Sequence, residues 1–339
     1  MDQQRGAPPP GAVPWRQAWQ EALYGPHGFY RAPPGPSAHF TTATHGPSGR
    51  LLAKALWGWA DLLGLEGLVD VGAGRGELVG QLRLLAPDRP VTAVDVVPRP
   101  PGMPPDIGWL QAPGGAQLPD ELAPANALVV AHEWLDVVPC TVAEHIGDGS
   151  LREVLVDPRT GAETLGGELD DVDLQWCHRY WPPSGHAAAD DDAGADDAEL
   201  ESQPAGRVEV GRQRDAAWQS LLDRMSGGVA IAVDYGHTAG ARPPHGTLTA
   251  YRAGLQVAPV PDGSCDLTAH VAVDSLRHDE LLSQRAALRR VGVDAGVPDH
   301  RLATTDPAGY LSALASTSAA ASLVDPGGFG GFWWVVARP

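Results

Sequence analysis

The stretch "VDVGAGRGEL", residues 69–78, constrains the fold most strongly, because three alternating glycines separate an apolar run from a helix-like segment. Glycine adopts backbone conformations that other residues avoid, and it lets a ligand approach without a Cβ in the way. In open parallel sheets, ligands bind where strands end and the chain turns into helices. The stretch therefore predicts a strand, a ligand-binding loop at Gly72, Gly74 and Gly76, and a helix. A tight turn without a ligand is the alternative.

The surrounding segments predict an α/β fold. Short apolar runs occur in "VTAVDVV", "NALVVAHEWLD" and "GGVAIAVDYG", and "GFGGFWWVVARP" predicts a turn followed by a last strand. Helical periodicity marks "WRQAWQEALY" and "RLLAKALWGWADLLGL", and Gly64 is placed to end the second helix. Buried strands separated by helical segments are typical of a mostly parallel, doubly wound sheet with helices on both faces.

The chain divides into four predicted parts. Residues 1–50 form an N-terminal tail (1–14) followed by a helix and a loop-rich cap, and residues 51–140 form the ligand-binding half of the core. Residues 141–204 form an insertion, whose acidic stretch 187–202 lacks the bulky apolar residues that order a chain. Residues 205–339 complete the core and add substrate-side elements.

Composition argues against several classes of protein. The net charge of −18 disfavours non-specific nucleic-acid binding, which depends on Lys and Arg neutralising phosphates. Cys140, Cys177 and Cys265 show no CxxC spacing, which argues against a disulfide framework or a zinc site. No signal peptide or membrane-length apolar run is present, so we expect a cytoplasmic protein. The histidines match no metal-binding spacing, so no metal is expected.

The residues around the glycine loop discriminate between possible ligands. A dinucleotide fingerprint requires a small residue where Glu77 stands, and a negative side chain at a helix N-terminus repels a pyrophosphate. The GK[ST] of a P-loop is absent. Asp70 precedes the glycines, and Asp95 ends the next predicted strand. Two acids favour a cationic ligand without phosphate.

This layout resembles motif I and the following acidic residue of class I S-adenosylmethionine (SAM) methyltransferases. The resemblance implies a Rossmann-like class I methyltransferase fold with SAM as cofactor. It also implies that Asp70 helps hold the methionine amino group through the loop and that Asp95 binds the ribose hydroxyls.

Five further segments resemble those of the MidA-like methyltransferases, in the family's order and over about residues 28–339. "HFTTATHGPSGRLLA" is similar to their F-x-T-S-P-E loop and helix, "AHEWLDVVPC" to N-E-x-x-D-A-L-P, and "VAIAVDYG" to L-x-x-D-Y-G. "GTLTAYRAG" and "CDLTAHVAVDSL" resemble G-T-L-R-x-Y-R-x-H and D-[IL]-T-A-H-V-D-F-x-x-L. That family includes a mitochondrial complex I assembly factor that methylates a protein arginine, which implies a protein substrate with an arginine acceptor.

Four positions, in three of these segments, depart from the family pattern. His132 stands where the family has Asn, Gly254 where it usually has His, and Ala43-Thr44 replaces Pro-Glu. We expect these positions to face the reacting side, where they bear on the acceptor rather than on the cofactor.

Methyl transfer requires alignment and charge placement, because the cofactor is already activated. Glu133 and Asp136 are the first catalytic candidates, since paired carboxylates can position and deprotonate a guanidinium. Their spacing places them on one side if a helix follows the strand; Asp136 as a helix cap is the alternative. His270 is a third catalytic candidate, because its pKa suits a base, although a histidine satisfied by hydrogen bonds within the core is an equal alternative.

Further residues are predicted to bind the substrate, with turn formation or loop bracing as the alternative for several of them. They are Thr41, Thr42, His132, Asp234, Tyr235 and Tyr251. A SAM-dependent enzyme with a small-molecule acceptor and a non-catalytic assembly or scaffold protein are the competing functions. A homodimer is possible on this sequence.

Overall fold

The computed structural model describes residues 11–32, 43–147, 150–182, 206–293 and 295–339. The helices are α1 (Trp15–Tyr24), α2 (Gly46–Leu63), α3 (Glu77–Leu85), α4 (Asp171–Tyr180), α5 (Arg212–Asp223), α6 (Gln284–Arg290), α7 (Leu302–Thr305) and α8 (Pro307–Val324). The strands up to the middle of the chain are β1 (Val13–Pro14), β2 (Gly67–Val71), β3 (Val91–Asp95), β4 (Gly108–Gln111), β5 (Ala127–His132), β6 (Thr141–His145), β7 (Leu151–Val156) and β8 (Glu163–Glu168). The remaining strands are β9 (Arg207–Val210), β10 (Val229–His237), β11 (Thr249–Arg252), β12 (Leu255–Val257), β13 (Asp266–Thr268), β14 (Val271–Ala272), β15 (Glu280–Ser283) and β16 (Phe332–Ala337).

The central sheet has the strand order β15-β16-β10-β5-β2-β3-β4, with β14 also paired to β10. The neighbours from β10 to β4 are all parallel, whereas β16 runs antiparallel to both β10 and β15. The carboxyl ends of β2, β3, β5 and β10 therefore meet along one edge of the sheet. The predicted mixed α/β architecture is confirmed.

Apolar side chains on both faces explain why the central strands are buried. In β5, Leu128 and Val130 join the core beneath α2, α3, α6 and α8. Val129 and Ala131 point the other way and join the core that contains Trp218 of α5. Successive side chains of a strand alternate between faces, so a run of small and branched apolar residues fits a sheet covered on both sides.

The two helices expected from periodicity form where the sequence places them. Helix α1 buries Trp15, Trp19, Ala22 and Leu23 on one face. Helix α2 ends at Gly64, whose left-handed conformation (φ 69°) caps the helix as predicted.

A second, antiparallel sheet joins β1, β7, β6 and β9, with β8 added to β7. It extends beyond the predicted limits of 141–204, because β1 and β9 lie outside them. Val13 and Pro14 pair with Val156 and Leu155, so the expectation of a tail over residues 1–14 is wrong for these two residues. The acidic stretch 187–202 lies outside the described residues.

A three-stranded sheet, β12-β11-β13, contacts the N-terminal helix α1. Ala253 and Gly254, both with positive φ, form the turn of the β11–β12 hairpin. The indole Nε1 of Trp19 donates to the carbonyl oxygen of Leu267 in β13 (3.2 Å). Helix α1 thereby holds β13 close to the carboxyl edge of the central sheet.

Candidate functional site

The loop after β2 has the conformation that its glycines predict. Gly72, Gly74 and Gly76 have φ values of 79°, 61° and 89°, in the left-handed region. A Cβ at Gly76 would overlap the methyl group of Met103, and one at Gly72 would lie 3.3 Å from Cβ of Trp134. The positive φ at all three positions therefore favours glycine, and Trp134 adds crowding at Gly72.

The two acids that flank the loop line one cavity together with it. Asp70 is 2% exposed, at the end of β2. Oδ2 of Asp95 accepts the backbone N–H of Gly74 (2.7 Å), and Oδ1 accepts that of Val97 (3.1 Å). The predicted convergence of Asp70, Asp95, Gly72 and Gly74 on one cavity is thus present, whereas Gly76 lies outside its lining and caps the N-terminus of α3.

The cavity lies at the carboxyl edge of the central sheet and is closed by residues from α1 and the helical turn Phe29–Arg31. Its lining comprises Tyr24, Tyr30, Thr44, His45, Asp70, Val71, Gly72, Ala73, Gly74, Arg75, Glu77, Leu78, Val94, Asp95, Val96, Val97, Ala112, Gly114, Gly115, Gln117, Leu118, His132, Glu133, Trp134, Asp136, Val137 and Asp266. Six of these residues are acidic, and the basic or imidazole side chains are those of Arg75, His45 and His132. A cationic ligand suits this lining better than a phosphate does.

Burial raises the pKa values of both flanking acids towards neutral pH. Burial raises the pKa of Asp70 to about 7, opposed by His132 and reinforced by Asp95. Burial also raises the pKa of Asp95 to about 6, although the backbone N–H groups of Val97 and Gly74 favour the ionised form. A bound positive charge would favour both carboxylates and would be stabilised by them.

Glu133 occupies the turn immediately after β5 and lines the cavity. Its φ is 52°, a conformation that costs a non-glycine residue energy, and such strain clusters at functional sites. Nδ1 of His132 lies 3.3 Å from Oε1 of Glu133. The His132 ring is 4% exposed and packs edge-on against Phe332, with centroids 5.3 Å apart. Both His132 and Glu133 line the cavity.

No helix forms after β5, so the reasoning that placed Glu133 and Asp136 on one helix face is wrong. The segment is a turn because Oδ2 of Asp234 accepts the backbone N–H groups of Leu135 (3.0 Å) and Asp136 (3.1 Å). Both acids nevertheless line the cavity. The turn, rather than a helix, brings them together.

Asp234 supports the site from behind and does not line the cavity. It is 1% exposed, and its Oδ1 accepts the backbone N–H of Tyr235 (3.0 Å). Burial, followed by the charge of Asp136, raises its pKa well above the ordinary value. The predicted substrate contact is corrected to a supporting role, because the Asp234 side chain is buried outside the cavity lining.

Tyr235, Tyr251 and His270 lie outside the cavity lining. The His270 ring is exposed and stacks on Tyr235 with centroids 5.7 Å apart and an interplanar angle of 16°. Tyr235 also meets Phe332 edge-on at 4.2 Å. The structure therefore separates His270 from the cavity, against the expectation that it acts there as a base. Thr41 and Thr42 lie outside the described residues.

The departures from the family pattern do not all face the cavity. His132 and Thr44 line it, whereas Ala43 is fully buried in the hydrophobic core. Gly254 lies in the exposed β11–β12 turn. The expectation that these positions all face the reacting side is corrected, because neither Ala43 nor Gly254 lines the cavity.

Several lining residues were not predicted. Tyr24 and Tyr30 reach the cavity because Arg31 fixes their segment, donating from Nε to the carbonyl oxygen of Tyr24 (2.9 Å) and from Nη2 to that of Pro113 (2.8 Å). Gly114 and Gly115 follow β4 as the glycine loop follows β2. The Gly-Gly pair could have been recognised in the sequence as a second loop at the carboxyl edge of the sheet. No local sequence pattern identifies Tyr24 and Tyr30 as cavity residues.

The described residues offer neither a membrane-spanning helix nor a metal-binding cluster. Among the described helices, none combines the length and apolar composition that a membrane crossing requires. Among those same residues, no group of three or more His, Cys, Asp or Glu side chains is arranged to hold a metal ion.

Comparison with known proteins identifies relatives. A family model described as "Putative S-adenosyl-L-methionine-dependent methyltransferase" matches residues 80–290, more than half of the chain. A search of the curated proteins finds no significant match. A COG1565 superfamily member from Burkholderia thailandensis, bound to S-adenosyl-homocysteine, is 21% identical with a TM-score of 0.67. A native COG1565 superfamily structure from the same organism is 22% identical with a TM-score of 0.66. Each alignment covers 97% of this chain and 88% of the other, so the fold is shared.

Proposed function

This chain belongs to the family of S-adenosyl-L-methionine-dependent methyltransferases, and from that premise we propose that it methylates a nitrogen of a protein arginine. The observation that carries the proposal is the convergence of Asp70, Asp95 and Glu133 on the cavity of the glycine loop. The similarity of five sequence segments to the MidA-like methyltransferases supports the choice of acceptor.

The residues around the loop fit the family's cofactor. S-adenosyl-L-methionine carries an ammonium and a sulfonium but no phosphate, so the acids that would repel a pyrophosphate favour it. Asp70 serves the methionine end through the loop, and Asp95 serves the ribose hydroxyls. The S-adenosyl-homocysteine bound to the similar Burkholderia thailandensis protein supports the choice of cofactor.

Glu133 and Asp136 orient the acceptor. When bound, the cofactor supplies a methyl group on a positively charged sulfur, which is already activated for transfer to a nucleophile. The Glu133 carboxylate would hold and orient the acceptor nitrogen in the cavity by charge-assisted hydrogen bonds. Asp136 takes the proton that the methylated nitrogen releases.

Labelled cofactor and a cell lysate test the reaction and the acceptor together. Label that precipitates with protein and is recovered as methylated arginine supports the proposal. Label that stays in the soluble small-molecule fraction supports the second candidate, methylation of a small molecule. His132, which stands in the cavity in place of the family's Asn, motivates that candidate.

Calorimetric titration with the cofactor separates both enzymatic functions from a scaffold role. Saturable binding at micromolar to millimolar concentration is expected. Absence of binding at millimolar ligand would contradict the cavity assignment and would leave the chain as an assembly or scaffold protein.

A further inference from the structure

A second pair of acids faces the cavity from elements outside the glycine loop. Asp136 comes from the turn after β5 and Asp266 from β13. Asp266 and Thr268 are two residues apart on one strand, so their side chains share a face. Oγ1 of Thr268 donates to Oδ2 of Asp136 (2.7 Å), which places Asp266 beside Asp136. The Tyr30 hydroxyl donates to Oδ1 of Asp266 (2.7 Å).

This pair is buried without a compensating positive charge. Asp136 and Asp266 are each 5% exposed, and neither belongs to an ion pair within the described ranges. Oδ1 of Asp136 has no hydrogen-bond partner among those residues. Arg214, the cation that influences Asp136, donates to the carbonyl oxygens of Asp136, Val138 and His270 instead. Unpaired buried carboxylates are costly, so their persistence at a cavity points to a missing cation.

We propose that Asp136 and Asp266 form a subsite for the positively charged group of the acceptor, an alkylammonium or alkylguanidinium, and that Tyr30 positions the Asp266 carboxylate. The proposal rests on the proposed function, because an acceptor subsite presupposes transfer at the neighbouring Glu133. It adds Asp266 as a substrate-binding residue and Tyr30 as a positioning residue, neither of which the sequence singled out for these roles.

The electrostatics of the pair agree with this placement. Burial raises the pKa of Asp266 to about 8, opposed by the Tyr30 hydrogen bond and reinforced by the charge of Asp136. Burial and the charge of Glu133 raise the pKa of Asp136 to about 6. A bound organic cation opposes both shifts, since it favours the ionised carboxylates.

Small organic cations test the subsite without the natural acceptor. The full chain is saturated with S-adenosyl-homocysteine and titrated by calorimetry with butylguanidinium, butylammonium and the neutral isostere butylurea. We expect at least one cation to bind and butylurea not to bind. The preferred cation indicates whether the acceptor group is a guanidinium or an ammonium.

Variants locate the binding. Asp266→Asn and Asp136→Asn should each weaken the cation by about tenfold or more, because each removes a charge-assisted contact. Tyr30→Phe keeps the aromatic ring and removes only the hydroxyl, so it should weaken cation binding less than the aspartate variants do. Asp215→Asn is the matched control, since Asp215 accepts from Ser275 and Trp176 outside the cavity. S-adenosyl-homocysteine affinity, measured on each variant, reports whether the fold is intact.

The outcomes separate this proposal from the proposed function. Wild-type chain that binds S-adenosyl-homocysteine but no cation at millimolar concentration overturns the subsite alone. Cation binding that survives Asp266→Asn, or butylurea that binds as well as the cations, also overturns it. Failure of the wild type to bind S-adenosyl-homocysteine overturns the proposed function. If one aspartate variant loses its fold, the other aspartate variant and Tyr30→Phe decide the question.

Discussion

At the residue scale, Glu133 combines a strained backbone with a carboxylate in the cavity. Glu133→Gln should leave S-adenosyl-homocysteine affinity nearly unchanged while methyl transfer falls by about 100-fold or more, because the charge that holds the nitrogen is lost. Calorimetry and incorporation of labelled methyl groups measure the two effects. The exposed Glu121→Gln is the control and should change neither.

The strain at Glu133 makes a separate prediction. Glu133→Gly should lose activity as Glu133→Gln does, yet it should keep or raise the free energy of unfolding by about 1 kcal/mol, since glycine adopts a φ of 52° without cost. Urea denaturation measures it. A clear loss of stability in Glu133→Gly would contradict this prediction. It would mean that contacts of the Glu133 side chain stabilise the fold by more than its backbone conformation costs.

Gly74 is the residue on which the cofactor site depends most directly. Gly74→Val should abolish S-adenosyl-homocysteine binding, because a branched side chain at a φ of 61° is strained and its Cβ would lie 3.2 Å from Oε2 of Glu77. Gly64→Val is the control, with a similar φ of 69° but open space around it at the end of α2. It should lose stability and keep binding. Unchanged affinity in Gly74→Val would exclude the loop as the site.

At the element scale, the turn after β5 is held by Asp234 of β10. Asp234→Ala should lower the free energy of unfolding by about 2 kcal/mol or more, because the buried N–H groups of Leu135, Asp136 and Tyr235 lose their acceptor. Activity should fall with it, since Glu133 and Asp136 lie in that turn. Denaturation by urea measures the stability. If Asp234→Ala kept wild-type stability and lost only substrate affinity, Asp234 would be a substrate-binding residue, as the sequence predicted.

The elements also show how far local patterns reach. Helix α1 and the strands β2, β3, β5 and β10 carry strong periodic or continuous apolar patterns and appear where they were predicted. Helix α8, in contrast, has Ala and Ser all round and few buried residues, so periodicity does not mark it. The second sheet was missed because its strands pair with partners as distant as Val13 and Val156.

At the scale of the whole molecule, the buried cavity acids make stability depend on pH. Burial raises the pKa of Asp70 to about 7 and that of Asp266 to about 8, both above the value in an unfolded chain. Such groups stabilise the fold fully below a pH of about 4, and this contribution is lost as pH rises through 7 and 8. Between pH 7 and 8.5, the ligand-free protein should therefore lose on the order of 1 kcal/mol of stability.

Groups whose pKa is lowered by folding do not change the stability between pH 7 and 8.5. Burial lowers the pKa of His237 to about 3, so its contribution is complete above the unfolded value of 6.5 and is lost only as pH falls. The variant Asp70→Asn/Asp266→Asn should flatten the change in Tm over this window. Saturating SAM should reduce the change in Tm between pH 7 and 8.5 more than S-adenosyl-homocysteine does, because only SAM carries the sulfonium. A Tm that rises with pH in the wild type would contradict the raised pKa values.

The sequence by itself determined the α/β class, the glycine loop and its two acids, because these depend on short segments whose conformation and chemistry are local. It also marked Glu133 and Asp136. Only the tertiary structure decided that a turn tied to Asp234 presents them, that His270 stands apart, and that Tyr30 and Asp266 close the cavity. Asp234 meets the turn across 98 positions of chain and Tyr30 meets Asp266 across 236, and such contacts arise from packing between elements rather than from any pattern within one.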